Sequence, residues 1–290
     1  MKKVVITGAG GFVGRRLASR FEEEKSVEVA TFDPRKNSLF IPRTLRNLVS
    51  KAEVVYHLAA VNDPKGHGIL KTNIFGTWGI LEAVRRYSPS SRFIFASSFA
   101  VYKKPESKVI INEGYATIPR NIYGFTKLIG EKLCLFYSKI FGIKVLIMRI
   151  SNIYGPMMPP FKHSVIATFI EKIRTGKNIE VSGNGEQTRD FIYIDDVIEA
   201  LVLANLIIDR FIILNLCSGE ETSINKLIRL ISDSLHKEPK VSYGHLPDNG
   251  GLWKGDNSKA RTKLGWVPKI ILKKGWEKYY ENWNLYSQLS

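Results

Sequence analysis

A tyrosine and a lysine four residues apart, Tyr123 and Lys127, are the most suggestive chemical pair in this 290-residue chain. On a helix, positions i and i+4 share one face, so both side chains can address one ligand. A free phenol has a pKa of about 10 and is a poor base at neutral pH unless nearby positive charge stabilises the phenolate. Lys127 would supply that charge, and the pair predicts proton abstraction from a hydroxyl group by Tyr123.

A serine adds a third group to this candidate site. Ser98 follows the strand-like run Phe93–Ala96, and ligand sites on parallel sheets lie where strands end. Its hydroxyl can hydrogen-bond a reacting oxygen, so we predict Ser98, Tyr123 and Lys127 as the catalytic residues. The alternative for the tyrosine–lysine pair taken alone is an ordinary contact on a helix surface.

A glycine-rich segment follows the first predicted strand and opens the first predicted helix. Glycines at positions 8, 11 and 14 allow a tight turn, let backbone N–H groups approach a pyrophosphate, and let the helix pack closely on the strand. This context favours a dinucleotide site over a plain glycine turn. The residues predicted to contact the cofactor here are Gly8, Gly10, Gly11, Phe12, Val13 and Gly14.

The second predicted strand ends at Asp33. A carboxylate at this distance from the glycines, about 20 residues, can accept hydrogen bonds from the adenosine ribose. It also repels a 2′-phosphate, which favours NAD over NADP, although Arg35 and Lys36 follow at once and soften that preference. A turn residue before Pro34 is the alternative reading of Asp33.

The elements that must position these residues alternate between apolar strand-like runs and amphipathic helical segments. That order is typical of a parallel sheet covered by helices. We predict an α/β fold, a Rossmann-type doubly wound parallel sheet at 1–150, with a smaller substrate-binding lobe mainly at 151–290. The predicted strands are Val4–Thr7, Val27–Phe32, Val54–Leu58, Phe93–Ala96 and Val145–Arg149, and the predicted helices are Phe12–Glu24, Ile69–Tyr87 and Tyr123–Phe141. Two later runs, Phe191–Ile194 and Phe211–Leu216, can rejoin the sheet and interleave the lobes.

The composition narrows the function classes. Lys and Arg number 43 against 27 Asp and Glu, a net charge of +16. The basic residues are scattered without a block of five or six, which indicates a solvated surface and not a nucleic-acid arm. No apolar run approaches the roughly 20 residues of a membrane helix and no export signal is evident, so we expect a cytoplasmic protein without a membrane partner. Cys134 and Cys217 lack metal-ligand spacing, and we predict no metal site.

With these motifs in place, the chain resembles the extended short-chain dehydrogenase/reductase superfamily, specifically its NAD-dependent epimerase/dehydratase branch of nucleotide-sugar enzymes. The resemblance covers nearly the whole chain. Its marks are Gly8–Gly14, His57–Ala60, Asn73 with Gly76 and Thr77, Ser97 and Ser98 with Ala100–Tyr102, Tyr123–Lys127, Asn152 in Ser-Asn-Ile-Tyr-Gly-Pro, Gly183–Phe191 and Asp256–Trp266.

The resemblance implies roles for individual residues. Tyr123 is then the base, Lys127 also binds the nicotinamide ribose of NAD, and Ser98 assists at a sugar hydroxyl. Further implied cofactor contacts are Leu58, Ala59, Ala60, Asn73 and Ser97, and implied nucleotide-sugar contacts, besides Ser98 and Tyr123, are Asn152, Gln187, Arg189 and Trp253. An arginine fork suits a diphosphate, and an asparagine can donate to it without adding charge. A turn role for Asn152 and a surface ion pair for Arg189 are the alternatives.

Two positions discriminate among the reactions of this family. Its dehydratases place an Asp-Glu pair directly after the catalytic hydroxyl residue, and its decarboxylases a glutamate. This chain has Phe99 and Ala100, which cannot transfer a proton. We therefore expect a 4-epimerase acting on UDP-glucose and UDP-galactose through a transient 4-keto sugar. A 4-keto nucleotide-sugar reductase is the first alternative, and a non-catalytic NAD-binding regulatory protein is the second.

Some positions depart from the family pattern. The segment after Asp33 is short, so the adenine pocket must differ. No arginine between His236 and Arg261 can serve as a second phosphate anchor, for which His245 and Lys254 are the candidates. Trp253 is expected to exclude an N-acetyl group from the C2 side of the sugar, with a packing or rim aromatic as the alternative.

The quaternary structure is also suggested by the resemblance. The helices Ile69–Tyr87 and Tyr123–Phe141 are expected to carry an outer apolar stripe besides the inner one. In related enzymes these helices pair across a two-fold axis, which implies a homodimer.

Overall fold

A computed structural model describes residues 1–32, 42–62, 68–156, 164–244 and 251–287 of the chain. The strands are β1 (Lys2–Thr7), β2 (Val27–Phe32), β3 (Val54–His57), β4 (Arg92–Ser98), β5 (Val109–Ile111), β6 (Lys144–Ile150), β7 (Asn152–Tyr154), β8 (Ile179–Ser182), β9 (Thr188–Arg189), β10 (Phe191–Tyr193), β11 (Phe211–Leu216), β12 (Thr222–Ser223), β13 (Val241–Gly244) and β14 (Trp253–Gly255). The helices are α1 (Phe12–Glu22), α2 (Pro42–Val49), α3 (Thr77–Tyr87), α4 (Ile122–Phe141), α5 (Val165–Arg174), α6 (Ile194–Leu203), α7 (Ile224–Leu235), α8 (Ser258–Leu264) and α9 (Leu272–Ser287).

Six parallel strands form the main sheet, in the order β11-β6-β4-β3-β1-β2. The chain starts at β1, moves outward to β2, and then returns to β3 on the other side of β1. Ligands of such sheets bind at this switch point, beyond the carboxyl ends of the strands. The predicted Rossmann-type α/β fold is confirmed.

Helices cover both faces of this sheet, so its strands are nearly continuous apolar runs. Successive residues of β1 point to opposite faces: Val4 and Ile6 pack with residues of α1 and α6, whereas Val5 packs with residues of α2, α3 and α4. All three side chains are fully buried. The sheet is therefore a rigid platform whose carboxyl edge can hold a site.

Helix α4, which carries the tyrosine–lysine pair, has well-defined ends. The Asn121 side chain accepts a hydrogen bond from the Gly124 amide at 2.7 Å and caps the amino terminus. Gly142 ends the helix with a φ of 76°, a left-handed conformation that glycine adopts without strain. The cap thus places Tyr123 in the first turn of the helix.

Two segments differ from the sequence expectation. The span predicted as one α-helix, Ile69–Tyr87, begins with a π-helix at Lys71–Gly76 and becomes α-helical at Thr77. Of the two later apolar runs, Phe211–Leu216 extends the main sheet beside β6, as predicted, whereas Phe191–Tyr193 pairs with β7 outside it. Its partner β7 begins only after β6 has ended and is not a strand of the main sheet, so the pair forms a separate two-stranded sheet.

Candidate active site

The glycine loop lies at the carboxyl end of β1. Gly8 has a φ of 76°, and a Cβ atom there would stand 2.7 Å from the Ala59 amide nitrogen. The Gly11 amide donates to the Gly8 carbonyl at 2.9 Å, and a Cβ atom on Gly14 would overlap that same carbonyl. The backbone therefore excludes side chains at these positions.

Helix α1 begins at Phe12 with no side-chain cap. Its first N–H groups thus face the loop, where a pyrophosphate can accept their hydrogen bonds. Leu58, Ala59 and Ala60 follow β3 on the neighbouring side of this loop. The residues present fit a dinucleotide, and they would hold its phosphates by backbone contacts. Asp33, Arg35 and Lys36 lie outside the described residues.

A buried histidine, His57, connects the ends of β1 and β3 to α3. Its ring nitrogens lie 2.7 Å from the Thr7 hydroxyl and 2.9 Å from the Thr77 hydroxyl. Burial lowers its pKa to about 3, with the positive charge of Lys127 acting in the same direction. The His57 ring is therefore neutral at physiological pH. It connects the ends of β1 and β3 to α3, a structural role that the sequence did not reveal.

Asn73 joins the loop after β3 to the catalytic helix. Its amide oxygen accepts from the Val61 amide at 2.8 Å, and its amide nitrogen donates to the Val61 carbonyl at 2.9 Å and to the Thr126 hydroxyl at 3.0 Å. The Thr126 hydroxyl in turn donates to the Tyr123 carbonyl at 2.8 Å. Asn73 thereby orients the first turn of α4; its contact with the cofactor remains a prediction.

The structure brings the three predicted catalytic residues together. Ser98 ends β4, and its hydroxyl group lies near enough to the Tyr123 phenol to lower the pKa of that phenol. The Lys127 ammonium lies 5.8 Å from the centroid of the Tyr123 ring. A Cβ atom on Gly124 would overlap the Ala100 carbonyl, so glycine at this position lets α4 approach the segment after Ser98.

Burial shifts the pKa values of both ionisable groups. It raises the pKa of Tyr123 to about 12, although the hydrogen bond from Ser98 acts against this shift. It lowers the pKa of Lys127 to about 8, against the opposing charge of the Glu131 carboxylate. The phenol is therefore neutral in the protein alone and needs added positive charge to act as a base.

A cavity of about 270 Å³ opens beside Ser98. Three of the predicted substrate contacts line it together with Ser98: Asn152, Arg189 and Trp253. The complete lining is Ser98, Phe99, Ala100, Tyr102, Arg120, Asn121, Ile150, Ser151, Asn152, Arg189 and Trp253. Its charged members are both arginines, which suits an anionic ligand.

Arg120 is the site residue that sequence reasoning missed. It lies three residues before Tyr123, immediately before the cap of α4, and lines the cavity with Arg189. The sequence feature that could have revealed Arg120 is its position as a basic residue just before the catalytic motif. The structure thus offers a second cation where the sequence lacks an arginine between His236 and Arg261; His245 lies outside the described residues, and Lys254 is not part of the cavity lining.

Three of the predicted substrate contacts, Asn152, Arg189 and Gln187, donate hydrogen bonds to backbone carbonyls of the protein itself. Asn152 donates through its side-chain amide to the Asp190 carbonyl at 3.0 Å, and Arg189 donates to the Thr188 carbonyl at 2.7 Å. Gln187 donates to the Ser182 carbonyl at 2.7 Å and lies outside the cavity lining. The contact between Gln187 and substrate therefore stays a prediction, and the position of Gln187 gives it no added support.

Comparison with known proteins identifies the family. The model of the NAD dependent epimerase/dehydratase family matches residues 4–210, and the chain belongs to this family. The uncharacterized UDP-glucose epimerase YtcB of Bacillus subtilis is 30% identical over 315 residues, which cover 94% of this chain and 95% of that protein. The resemblance inferred from the motifs is thereby confirmed.

Two solved structures share the fold over nearly the whole chain. One is the UDP-glucose 4-epimerase of Thermotoga maritima with UDP-glucose, at 27% identity and a TM-score of 0.87, covering 99% of this chain and 100% of that one. The other is the UDP-glucuronic acid 4-epimerase of Bacillus cereus with UDP-glucuronic acid and NAD, at 29% identity and a TM-score of 0.85, with the same coverage. NAD is the cofactor of this family, as the glycine loop predicted.

Proposed function

We propose that this protein is an NAD-dependent nucleotide-sugar 4-epimerase that interconverts UDP-glucose and UDP-galactose. The observation that carries the proposal is the Ser98–Tyr123–Lys127 cluster beside a cavity that two arginines line. The relatives support the reaction, since both of the solved structures described above are UDP-sugar 4-epimerases.

Tyr123, Ser98 and Lys127 each have a separate role in the proposed reaction. Tyr123 removes the proton from the sugar C4 hydroxyl, and Ser98 hydrogen-bonds the same oxygen. Lys127 stabilises the phenolate through its charge, and its pKa of about 8 leaves it protonated at neutral pH. NAD held at the glycine loop would supply the redox chemistry, a reversible hydride transfer at C4. After the 4-keto sugar turns over in the cavity, Tyr123 gives its proton back, which completes inversion at C4.

The lining of the cavity argues against other family reactions. Phe99 and Ala100 stand where dehydration or decarboxylation would require an acidic side chain, and both line the cavity beside Ser98. Neither residue can donate or accept a proton. Tyr123 is therefore the group with the means to move a proton at the sugar, which is all that 4-epimerisation needs.

The second lobe is assigned to the nucleotide sugar. We place the boundary of the NAD-binding domain near residue 150, with 151–290 forming mainly the substrate lobe. Asn152, Arg189 and Trp253 come from this second part and line the cavity together with Ser98 and Arg120 from the first. The cavity thus lies between the two parts, as transfer between cofactor and sugar requires.

A homodimer is part of the proposal. Helices α3 and α4 pack against each other and expose large apolar side chains on their outer surfaces. These are Phe75 in the π-helix before α3, Trp78 at the start of α3, and Ile122, Phe125, Phe136 and Ile140 along α4, between 39% and 63% exposed. The four residues of α4 follow one another at intervals close to whole helical turns, so they form one stripe, and burying it against a second copy would remove a large apolar surface from water.

A panel of nucleotide sugars tests the proposed function. The purified protein is incubated with UDP-glucose, UDP-galactose and their uronic acid and N-acetyl counterparts, and the products are separated by chromatography. We expect C4 epimers to form without added cofactor, since an epimerase regenerates its NAD within each turnover. Product that forms only with added NADH would identify a reductase instead, and NAD binding without turnover of any sugar would identify a regulatory protein.

Tyrosine variants serve as matched controls for that panel. Tyr123→Phe keeps the ring and removes the proton-transfer oxygen, so turnover should fall by about a hundred- to ten-thousand-fold. Tyr243→Phe removes a hydroxyl that donates to Asn225 on an exposed surface, and it should retain the activity of the parent. A Tyr123→Phe variant within about threefold of the parent would rule Tyr123 out as the base.

A further inference from the structure

A buried ion pair lies directly behind the catalytic cluster. The Glu131 carboxylate accepts two hydrogen bonds from the Arg149 guanidinium, at 2.9 Å from Nε and 2.7 Å from Nη2. The two side chains are only 4% and 5% exposed. This two-point geometry fixes the carboxylate and guanidinium planes relative to each other.

The pair ties together the three elements that carry the proposed active site. Glu131 lies on α4 one turn after Lys127, and its carboxylate also accepts from the Ser97 hydroxyl at 2.6 Å. Ser97 immediately precedes Ser98 in β4. Arg149 lies near the end of β6, three residues before Asn152. One carboxylate thereby connects the strand of the serine, the helix of the tyrosine and lysine, and the strand that leads to the cavity.

Arg149 is enclosed on its remaining sides. Its third nitrogen, Nη1, donates to the Glu113 carbonyl at 3.1 Å, and its guanidinium lies 4.8 Å from the centroid of the Tyr102 ring. Tyr102 is itself a buried residue of the cavity lining. The Arg149 guanidinium is therefore held in one orientation. Its contacts extend as far as Tyr102 in the wall of the cavity.

Stability alone does not account for such a pair. Taking two charges out of water carries a desolvation cost that often equals or exceeds their attraction, and well-packed apolar residues can replace buried ion pairs without loss of stability. The ion pair instead fixes the local geometry, because it holds residues that are far apart in the sequence at set distances from one another. Proton transfer depends steeply on such distances, and a shift of about 1 Å can cost a hundredfold in rate.

We propose that Glu131 and Arg149 are positioning residues, which hold Ser98 at reacting distance from Tyr123 and Lys127 by clamping β4 and α4 together. They act through these residues and touch neither sugar nor cofactor. The inference rests on the proposed function for its kinetic readout. It predicts that disturbing the clamp reduces the rate of the chemical step more than the binding of substrate.

Two variants disturb the clamp to different degrees. Glu131→Gln keeps the shape and removes the charge, while Ser97→Ala leaves the ion pair intact and removes its link to β4. Measuring kcat and KM for epimerisation, we expect Glu131→Gln to lower kcat by about tenfold or more and Ser97→Ala by about threefold or more, with KM within about threefold of the parent in both. If Glu131→Gln does not fold, Ser97→Ala decides the question.

A buried carboxylate elsewhere provides the matched control. Asp196 on α6 is 2% exposed and accepts hydrogen bonds from the backbone amides of Lys269 and Ile270, outside the cavity lining. Asp196→Asn should lower the melting temperature yet leave kcat per folded molecule within about twofold of the parent. Clamp variants that lower the melting temperature in the same way, with kcat also within about twofold, would overturn the proposal.

A binding measurement separates this inference from the proposed function. If the parent epimerises none of the sugars tested, the proposed function fails, and the same variants are titrated with NAD by calorimetry. A displaced Lys127 should then weaken NAD binding by about tenfold in Glu131→Gln and leave Asp196→Asn within about twofold. Equal NAD affinity in the parent and Glu131→Gln would then contradict the clamp as well.

Discussion

The Lys127 ammonium donates a hydrogen bond to the Ala96 carbonyl oxygen at 2.7 Å. Ala96 lies two residues before Ser98 in β4, so this bond anchors the lysine against the strand of the catalytic serine. The charge is held 5.8 Å from the Tyr123 ring and 5.0 Å from the Phe95 ring. Lys127 therefore acts on Tyr123 through its electric field and not through direct proton exchange.

The stability of the ligand-free protein should depend on pH through Lys127. Burial lowers the pKa of this ammonium from 10.5 to about 8. Between those values the unfolded chain binds more protons than the folded one, so stability rises with pH across this window. Relative to Lys127→Met, which cannot titrate, the parent should gain about 3 kcal/mol of stability on going from pH 7 to pH 10.

Denaturant unfolding of the parent and Lys127→Met at several pH values measures this difference. Lys254→Met, at a half-exposed lysine of β14, controls for the loss of a lysine side chain. A difference between the parent and Lys127→Met that does not change with pH would show that Lys127 is solvated in the folded protein.

Trp253 should determine whether the site accepts an N-acetyl group. It lines the cavity together with Ser98 and Arg189, and we expect its ring to take up space that a bulkier C2 substituent would need. Compared with the parent, Trp253→Ser should raise kcat/KM for UDP-N-acetylglucosamine by about tenfold or more, since removing a steric block changes specificity without altering the chemistry. Trp253→Phe keeps a large ring and should behave like the parent. A parent that is equally active on both sugar classes would show that Trp253 is only a rim aromatic.

Arg120 should contribute to binding of the anionic part of the substrate. It lies directly before the cap of α4 and lines the cavity together with Arg189. Arg120→Gln keeps the length and removes the charge, and it should weaken UDP binding by about tenfold, the scale expected for one hydrogen bond to a charged group. Calorimetric titration with UDP measures this effect. Arg174→Gln, at an exposed position at the end of α5, should bind UDP as the parent does; equal affinities for all three proteins would remove Arg120 from the site.

Dimerisation should depend on the apolar stripe of α4. Phe136 is 52% exposed at the middle of that stripe, so Phe136→Glu would place a charge in the proposed interface and should yield a monomer. Ile208→Glu changes an apolar residue that is 88% exposed in the segment before β11 and is not part of the stripe, and it should leave the dimer intact. Light scattering at micromolar concentration distinguishes these outcomes. A monomeric parent would contradict the proposed homodimer.

Much of the site could be predicted because its signals are local. The spacing of Tyr123 and Lys127 places them on one helix face, and a serine at a strand end points to the carboxyl edge of a parallel sheet. The glycine loop is likewise contained within a few residues. For these groups, the sequence pattern specifies the backbone geometry that the chemistry requires.

Other features depend on contacts between distant parts of the chain. The π-helix at Lys71–Gly76 contains Asn73, whose amide bonds to Val61 and Thr126 cannot be inferred from apolar periodicity. The pairing of Glu131 with Arg149 joins residues 18 apart on different elements. Arg120 lines the cavity together with Arg189, which lies much further along the chain. Such relationships arise from tertiary packing, which the spacing of residues along the sequence does not reveal.

The fate of hydrogen at C4 during turnover tests the central claim most directly. UDP-glucose is incubated with the protein in D₂O, and the sugar product is examined by NMR and mass spectrometry, with Tyr123→Phe as the inactive control. Our account predicts UDP-galactose without deuterium on carbon, because the hydrogen taken from C4 as hydride returns to C4 and only the hydroxyl proton exchanges. Deuterium bound to any ring carbon of the product, or the same conversion by Tyr123→Phe, would contradict the account.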